Sequence, residues 1–251
     1  MIEGNIVEIK SLCKKFNNDF ILHDLNLHLK KQESICILGE SGMGKSVLMK
    51  IIGMLLEATS GSVKINGTEI VGINSTGKAS IMSKIGFLFQ HSALFDELSV
   101  LENIAFKEIF VDKMPKVQAQ NIVLSLLHEL GIKDHVVYLK PNQLSGGMQR
   151  RIGIARTLIK KPQLILFDEP TSGLDPIMSE KINEIIIKTN KQFNASIVTI
   201  THDLSSALRI SNRIYVLNKQ KIIWHGNSQD IFQCEDEYIK QFIKSSNIKI
   251  C

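Results

Sequence analysis

The chain has 251 residues, 44% of them hydrophobic and 22% charged, and a mild formal net charge of +5 that is typical of a lysine-rich solvated surface. No apolar stretch approaches the roughly 18 residues of a membrane-spanning helix, and the N-terminus lacks the pattern of a secretory signal, so we expect a cytoplasmic globular protein. Four scattered cysteines without a C-x-x-C pair argue against a disulfide framework or a zinc site: Cys13, Cys36, Cys234 and Cys251.

The first ninety residues contain most of the strand-like segments. Two of them alternate apolar and polar side chains, as strands with one wet face do, and the third is apolar almost throughout, as expected of a strand buried on both faces. The predicted strands are Ile6–Lys10, Ile21–Leu29, Ser34–Leu38, Gly61–Gly67 and Ile85–Gln90. The fourth ends in an Asn-Gly turn, and Val47–Leu56 has the length and composition of a helix.

Residues from about 101 to 138 are predicted to be helical. A helix over Val117–Leu130 would carry one apolar face, formed by Ile122, Leu126, Leu127 and Leu130. Strand-like segments then return at Leu164–Phe167, Ser196–Thr201 and Arg213–Leu217. The tail Asp230–Lys249 has a helical pattern. A β-rich start, an α/β core, a helical insertion and a resumed core predict a largely parallel sheet flanked by helices.

A glycine-rich loop follows the buried strand Ser34–Leu38. Its sequence, Gly39-Glu-Ser-Gly-Met-Gly-Lys45-Ser46, fits the pattern G-x-x-x-x-G-K-[ST] of the phosphate-binding loop, or Walker A motif. Glycines let backbone N–H groups turn towards phosphate oxygens, and the N-terminus of the next helix adds positive potential. We expect Lys45 to contact the β- and γ-phosphates of a nucleotide and the Ser46 hydroxyl to bind Mg²⁺.

An apolar strand that ends in two carboxylates, Leu164-Ile-Leu-Phe-Asp168-Glu169, matches the Walker B pattern. Neighbouring side chains of a strand point to opposite faces, so the two carboxylates can serve different roles. We expect Asp168 to hold Mg²⁺ and Glu169 to polarise the attacking water. The alternative, a polar strand end that only faces solvent, is disfavoured because the same chain carries a phosphate loop.

A second glycine-rich stretch, Leu144-Ser-Gly-Gly-Met-Gln-Arg150, resembles the signature motif of ATP-binding-cassette (ABC) proteins. The resemblance covers nearly the whole chain, because further family elements appear in order. Gln90 matches the Q-loop glutamine that touches Mg²⁺, and Ser172-Gly-Leu-Asp175 matches the D-loop. His202 follows an apolar strand, as the switch histidine does, although a lone histidine is more often structural. Phe16 stands where the family places an aromatic residue, more often Tyr, that stacks on adenine.

This resemblance implies an α/β fold: a P-loop NTPase ABC cassette with a mixed or parallel sheet core, a β-rich N-terminal part and an inserted helical subdomain. It implies one nucleotide-binding domain over 1–251, with the core at about 1–90 and 162–230, the helical subdomain at about 91–161 and a C-terminal helix at about 231–251. The implied catalytic residues are Lys45, Gln90, Glu169 and His202. The implied Mg²⁺ ligands are Ser46, Gln90 and Asp168. The implied contacts to ATP are Phe16, Gly39, Glu40, Ser41, Gly42, Met43, Gly44, Lys45, Ser46, Val47, Ser145, Gly146, Gly147 and Asp175.

The resemblance also implies a head-to-tail homodimer. Ser145, Gly146 and Gly147 would form an anion-binding nest at the start of a helix over Gly147–Lys160, too far from their own phosphate loop to share one phosphate. Two ATP molecules would then lie between the Walker A loop of one subunit and the signature motif of the other. Binding of ATP would close the pair and hydrolysis would open it.

Three short stretches resemble one branch of the family, the ATPases of Mla-type, MCE-protein-associated phospholipid transporters of Gram-negative bacteria: Gly44–Leu48, Ser92–Phe95 and Phe167–Ile177. This branch implies a peripheral ATPase at the cytoplasmic face of the inner membrane. Its implied partners are an integral membrane permease that docks around residues 90–106, an MCE-domain protein and a STAS-domain regulator. Polar amino acid and other small-solute importers share part of the pattern and remain the alternative.

An ABC ATPase that acts on nucleic acid or the ribosome is disfavoured. The chain shows no second cassette, coiled-coil insertion or dense basic cluster, so we expect no nucleic-acid partner. The transported substrate and the direction of transport belong to the permease, and this sequence does not encode them.

Overall fold

A computed structural model describes residues 4–90 and 92–246 of the chain. Ten strands lie in this part: β1 Asn5–Phe16, β2 Asp19–Lys30, β3 Ser34–Leu38, β4 Ser60–Ile65, β5 Thr68–Glu69, β6 Ile85–Leu88, β7 Leu164–Asp168, β8 Ser196–Thr201, β9 Arg213–Asn218 and β10 Lys221–Asn227. Eight α-helices accompany them: α1 Lys45–Ile52, α2 Ser75–Met82, α3 Val100–Ile104, α4 Lys116–Glu129, α5 Gly146–Leu158, α6 Pro176–Phe193, α7 Leu204–Ile210 and α8 Glu237–Ser245.

The strands form two sheets. The N-terminal sheet is antiparallel, with the order β2-β1-β4-β5. The second sheet has the order β10-β9-β3-β8-β7-β6, and its pairings are parallel except the one between β9 and β10 at the edge. The expected α/β fold with a mixed sheet and a β-rich N-terminal part is confirmed.

The central strands are buried on both faces, as their apolar runs predict. In β7, Ile165 and Phe167 join the hydrophobic cluster that includes the helices after β6, whereas Leu164 and Leu166 join the cluster beneath the N-terminal sheet. This alternation within one fully buried strand is the arrangement expected where layers pack on both sides of a sheet. A third cluster forms where α7 and α8 pack on β3 and β9.

The first two strands are longer than the sequence predicts. They form a hairpin in which Phe16 pairs with Asp19 across a tight turn. The predicted segment Ile6–Lys10 covers less than half of β1, because the register shifts after Ile9 and the backbone of Ser11 has a positive φ of 47°. Such bulges interrupt the alternation on which strand prediction depends. The predicted Asn-Gly turn is confirmed, since it links β4 to β5.

Several predicted boundaries are wrong by a few residues. The predicted strand Ile85–Gln90 ends at Leu88, because its pairing with β7 stops there. The predicted helix Val47–Leu56 begins earlier, at Lys45, and ends at Ile52, where Gly53 caps it. The sequence analysis left five elements unassigned: the helices α2, α6 and α7 and the strands β5 and β10.

Between β6 and β7 the described residues form helices and turns and contain no strand. A π-helical turn at Lys107–Val111 and two 3₁₀ turns, Asp134–Tyr138 and Pro141–Gln143, connect the α-helices there. The predicted apolar face of α4 is partly wrong, because Ile122 is 39% exposed. The buried face instead comprises Ala119, Val123, Leu126, Leu127 and the adjoining Leu130, and a helix rotated to bury these residues carries Ile122 to the rim of the face.

The sequence predicts a single helix over Asp230–Lys249, but the C-terminal segment is divided into two elements. A 3₁₀ turn spans Ser228–Gln233, and α8 begins after it, with Asp236 as its N-cap. The predicted end at Lys249 lies outside the described residues. In the described part of the chain, no helix combines the length and apolar character needed to cross a bilayer.

Candidate active site

Loops that follow three neighbouring strands carry the predicted nucleotide-binding and catalytic side chains. In the second sheet β8 lies between β3 and β7, and the three strands are parallel. Their carboxyl ends therefore share one edge, which is where ligands bind in open α/β sheets. The phosphate loop follows β3, Asp168 is the last residue of β7 with Glu169 directly after it, and His202 follows β8. Residues far apart in the sequence thus meet at this edge.

The phosphate loop has the geometry of an anion cradle. A Cβ atom at Gly39 would lie 2.4 Å from the carbonyl oxygen of Leu217, so only glycine fits there. Gly42 and Gly44 have φ values of 83° and 92°, a conformation that favours glycine. Helix α1 begins at Lys45 without a side-chain cap, which leaves the N–H groups of its first turn for another acceptor. The loop therefore fits the phosphates of a nucleotide.

Lys45 lies inside this loop and is 5% exposed. Its Nζ donates to the carbonyl oxygens of Gly39, at 2.7 Å, and Glu40, at 2.8 Å, and it lies 3.8 Å from a carboxylate oxygen of Glu169. Burial lowers the pKa of Lys45, and the Glu169 carboxylate partly opposes that shift. A buried ammonium at this position is placed to exchange carbonyl partners for phosphate oxygens.

Ser46 and Asp168 form the second polar contact of the site. The Ser46 hydroxyl donates to Oδ1 of Asp168 at 3.4 Å, although the residues are 122 positions apart. Burial and the neighbouring Glu169 carboxylate both raise the pKa of Asp168, so a cation beside it would be favourable. Mg²⁺ is usually held by one or two protein oxygens together with substrate phosphates, and the Ser46–Asp168 pair fits that donor set. Among the described residues, no group of three His, Cys, Asp or Glu side chains forms a metal site of its own.

Glu169 lies just beyond β7 and has a φ of +48°. Its side chain is 10% exposed, and both carboxylate oxygens lie 3.0 Å from Nδ1 of His202. The Thr201 hydroxyl donates to the same carboxylate at 3.4 Å. The two carboxylates do have different partners, but strand alternation is the wrong reason, because Glu169 has left the strand. Thr201 was missed in the sequence analysis, since nothing distinguishes it within its apolar strand.

Gln90 lies apart from this cluster. It follows β6 by two residues, is exposed, and accepts a hydrogen bond from Arg150 through its backbone carbonyl. Within the described residues, its side chain makes no hydrogen bond to Ser46 or Asp168, so this conformation does not bring the third predicted Mg²⁺ ligand to the other two. Phe16 ends β1 with its side chain 46% exposed, and the ammonium of Lys14 lies 5.0 Å from its ring centroid.

The signature residues lie at the N-terminus of α5, which begins at Gly146 rather than at the predicted Gly147 and ends at Leu158. Ser145 and Gly146 are exposed, and the Ser145 hydroxyl accepts a hydrogen bond from the backbone N–H of Met148 at 3.3 Å. Asp175 caps α6 in the same way, accepting from the N–H of Met178 at 2.9 Å. In the described part of the chain, no hydrogen bond joins either motif to the phosphate loop.

Comparisons with known proteins show the family to which the chain belongs. Residues 22–172 match the family model for the ABC transporter. The intermembrane phospholipid transport system ATP-binding protein MlaF of Haemophilus influenzae is 34% identical over 97% of this chain and 92% of its own. The glutamate/glutamine/aspartate/asparagine transport ATP-binding protein BztD of Rhodobacter capsulatus is also 34% identical, over 94% of this chain and 89% of its own.

A solved structure of an ATP-binding cassette has the same fold. The dimeric post-hydrolysis structure of the ATP-binding cassette MJ0796 with ADP and Pi superimposes with a TM-score of 0.80 at 33% identity, covering 88% of this chain and 98% of that one. Sequence motifs, fold and relatives therefore agree. The chain belongs to the ABC transporter family, as an ATP-hydrolysing subunit.

Proposed function

We propose that this subunit powers the transport of lipid, specifically phospholipid, through partner permease subunits. The proposal is supported by the similarity to MlaF, which extends over nearly the full length of both chains. The stretches Gly44–Leu48, Ser92–Phe95 and Phe167–Ile177 resemble the same branch. In such a system the subunit works at the cytoplasmic face of the inner membrane, together with an MCE-domain protein and a STAS-domain regulator.

The hydrolytic step is assigned to the cluster around Glu169, and the observation that carries it is the placement of this carboxylate between Lys45 and His202. Lys45 and the N–H groups at the start of α1 bind the β- and γ-phosphates of ATP. Ser46 and Asp168 would hold Mg²⁺, which would supply positive charge beside the phosphates. Glu169 accepts a proton from the attacking water, and His202 orients the carboxylate and contacts the γ-phosphate.

The complete site requires two copies of the chain. Ser145 and Gly146 are exposed and make no hydrogen bond to their own phosphate loop within the described residues, so they are free to meet a nucleotide on a second subunit. The N-terminus of α5 would present N–H groups to the γ-phosphate there. The relative MJ0796 was solved as a dimer with ADP and Pi. We therefore assign a homodimer in which ATP lies between the two copies.

The permease is assigned to an aromatic surface after β6. Phe95 stacks on Phe106 with ring centroids 4.9 Å apart, and Phe106 contacts Phe110 at 5.1 Å. Phe95 and Phe110 are 49% and 39% exposed, and a cavity of about 260 Å³ beside Phe95 and Phe106 also contacts Lys107 and Lys160. Exposed aromatic side chains grouped around a cavity are typical of a protein-binding surface. A cytoplasmic helix of the permease would occupy it.

A polar amino acid importer is the second candidate, because BztD matches this chain at the same identity as MlaF does. Purification of the tagged chain from its native membrane, followed by identification of the bound proteins and lipids, separates the two. A permease with an MCE-domain protein and bound phospholipid is the expected result. A permease that pairs with a soluble amino-acid-binding protein would refute the lipid assignment. Phe95→Ala should lose the permease but keep ATP binding.

A further inference from the structure

A buried arginine on the signature helix contacts two other motif segments. Arg150 lies on α5 and is 6% exposed. Its Nη1 donates to the carbonyl oxygen of Phe89 at 3.1 Å and to that of Gln90, while Nη2 donates to the carbonyl oxygen of Ser172 at 3.3 Å. One guanidinium therefore joins the signature helix to the Q-loop match and to the start of the D-loop match.

The hydrogen-bond partners of the buried Arg150 guanidinium are backbone carbonyl oxygens. Burial lowers the pKa of its guanidinium, and the charges of Asp168 and Glu169 partly oppose that shift. A buried charge is tolerated only when its donors are satisfied, and an apolar residue of similar volume is often at least as good for stability. Phe89 and Gln90 belong to one loop and Ser172 to another, and among the described residues no backbone hydrogen bond joins the two loops. The side chain of Arg150 therefore links them.

A second arginine extends the same connection. Arg156, six residues further along α5, donates to the carbonyl oxygen of Ala93 at 2.6 Å and to that of Ser92. Both arginines thus hold the backbone that leads from β6 towards the aromatic surface assigned to the permease. At the other end of the helix, Ser145 precedes Arg150 by five residues, or about 7.5 Å along the axis.

We infer that Arg150 is a positioning residue that couples the permease-facing segment to the two loops that complete the ATP site of the partner copy. The inference rests on the proposed function, because it requires a site shared between two subunits. Displacement of Gln90 by the permease would be transmitted through the guanidinium to α5 and Ser172 as one unit. Loss of the guanidinium would leave each loop to move separately, and ATP would then close the dimer less efficiently.

The neighbouring Arg151 provides a matched control. It has the same side chain on the same helix, but its Nη1 lies 3.4 Å from the carbonyl oxygens of Leu130 and Gly131, away from both loops. The test measures the ATP concentration that gives half-maximal dimer, by light scattering, in the hydrolysis-deficient Glu169→Gln background. Single-copy ATP affinity and the melting temperature are measured for the same proteins.

We expect Arg150→Gln to raise the half-maximal ATP concentration about tenfold, the effect of losing one net charged hydrogen bond. Arg150→Lys, with a single point charge, should give an intermediate value, and Arg151→Gln should match the background. Single-copy ATP affinity should be unchanged, because the hydrogen bonds of Arg150 among the described residues go to Phe89, Gln90 and Ser172 and not to the phosphate loop. The inference would be overturned if Arg150→Gln dimerised at the same ATP concentration as the background. It would also be overturned if Arg151→Gln raised the half-maximal ATP concentration as much as Arg150→Gln does. If Glu169→Gln alone fails to dimerise with ATP, the shared site itself is refuted.

Discussion

Replacement of Glu169 by Gln removes one negative charge from the centre of the site while keeping the shape of the side chain. The carboxylate is 10% exposed, lies 3.8 Å from the ammonium of Lys45 and contacts Nδ1 of His202 at 3.0 Å. A neutral amide cannot accept a proton from water at neutral pH. The change therefore separates the hydrolytic role proposed for Glu169 from the binding role proposed for the phosphate loop.

Two electrostatic effects of this change oppose each other in the folded protein. At an effective dielectric constant of about 20, the lost attraction between unit charges 3.8 Å apart amounts to roughly 4 kcal/mol. The repulsion that raises the pKa of Asp168 is relieved at the same time, and desolvation of one carboxylate no longer has to be offset. We expect the free energy of unfolding to change by only about 1 kcal/mol.

The catalytic effect should be far larger than the effect on stability. Loss of a general base lowers turnover by about 100- to 10,000-fold, whereas ATP affinity should stay within about threefold, because Lys45 and the loop N–H groups are intact. Single-turnover phosphate release and direct ATP titration measure the two quantities separately. A variant that hydrolyses ATP at the wild-type rate would remove Glu169 from the mechanism.

Three further results are expected. Lys45→Ala should weaken ATP binding about 100-fold or more, because buried charged hydrogen bonds to phosphate are lost; intact affinity in a titration would refute the phosphate-loop assignment. Asp168→Asn should raise the melting temperature at pH 7 without nucleotide by about 2–4 °C. Because burial raises the pKa of Asp168, its ionised form destabilises the fold at neutral pH. The gain in melting temperature should therefore shrink as the pH falls towards 3.8, the ordinary pKa of Asp. A gain in melting temperature that does not depend on pH would contradict this. Phe16→Ala should lower ATP affinity about threefold to tenfold and Phe16→Tyr should not, and an unaffected Phe16→Ala protein would refute adenine stacking.

The sequence predicts the order of the central elements well because their signals are local. A continuous apolar run identifies β3 and β7, and the glycine pattern after β3 identifies the phosphate loop. Boundaries fail where tertiary contacts decide them. The pairing of β6 with β7 ends the strand at Leu88, and packing of α4 against its neighbours leaves Ile122 at the rim of the buried face.

In the candidate site, too, local sequence signals are predictable and tertiary contacts are not. Lys45, Ser46, Asp168 and Glu169 are predicted because each belongs to a short motif, and His202 because it follows an apolar strand in the order of the family's elements. The structure brings all five to one edge of the sheet. The contacts of Arg150 were not predicted, since they join backbone carbonyls whose proximity depends on the fold and not on the identity of the contacted residues. Gln90 is the reverse case, because its motif is clear but its side chain lies away from Ser46 and Asp168.

The central claim, that two copies share each ATP, is tested most directly by complementation. Lys45→Ala disables one side of the shared site and Ser145→Arg the other, and both are placed in the Glu169→Gln background to trap bound ATP. When the two variants are mixed in equal amounts, about half of the dimers should contain one copy of each variant, and each such dimer has one intact site out of two. The mixture should therefore retain about a quarter of the ATP that the Glu169→Gln protein retains. Each variant alone should retain none. Retention by the mixture no greater than that of the separate variants would contradict the account.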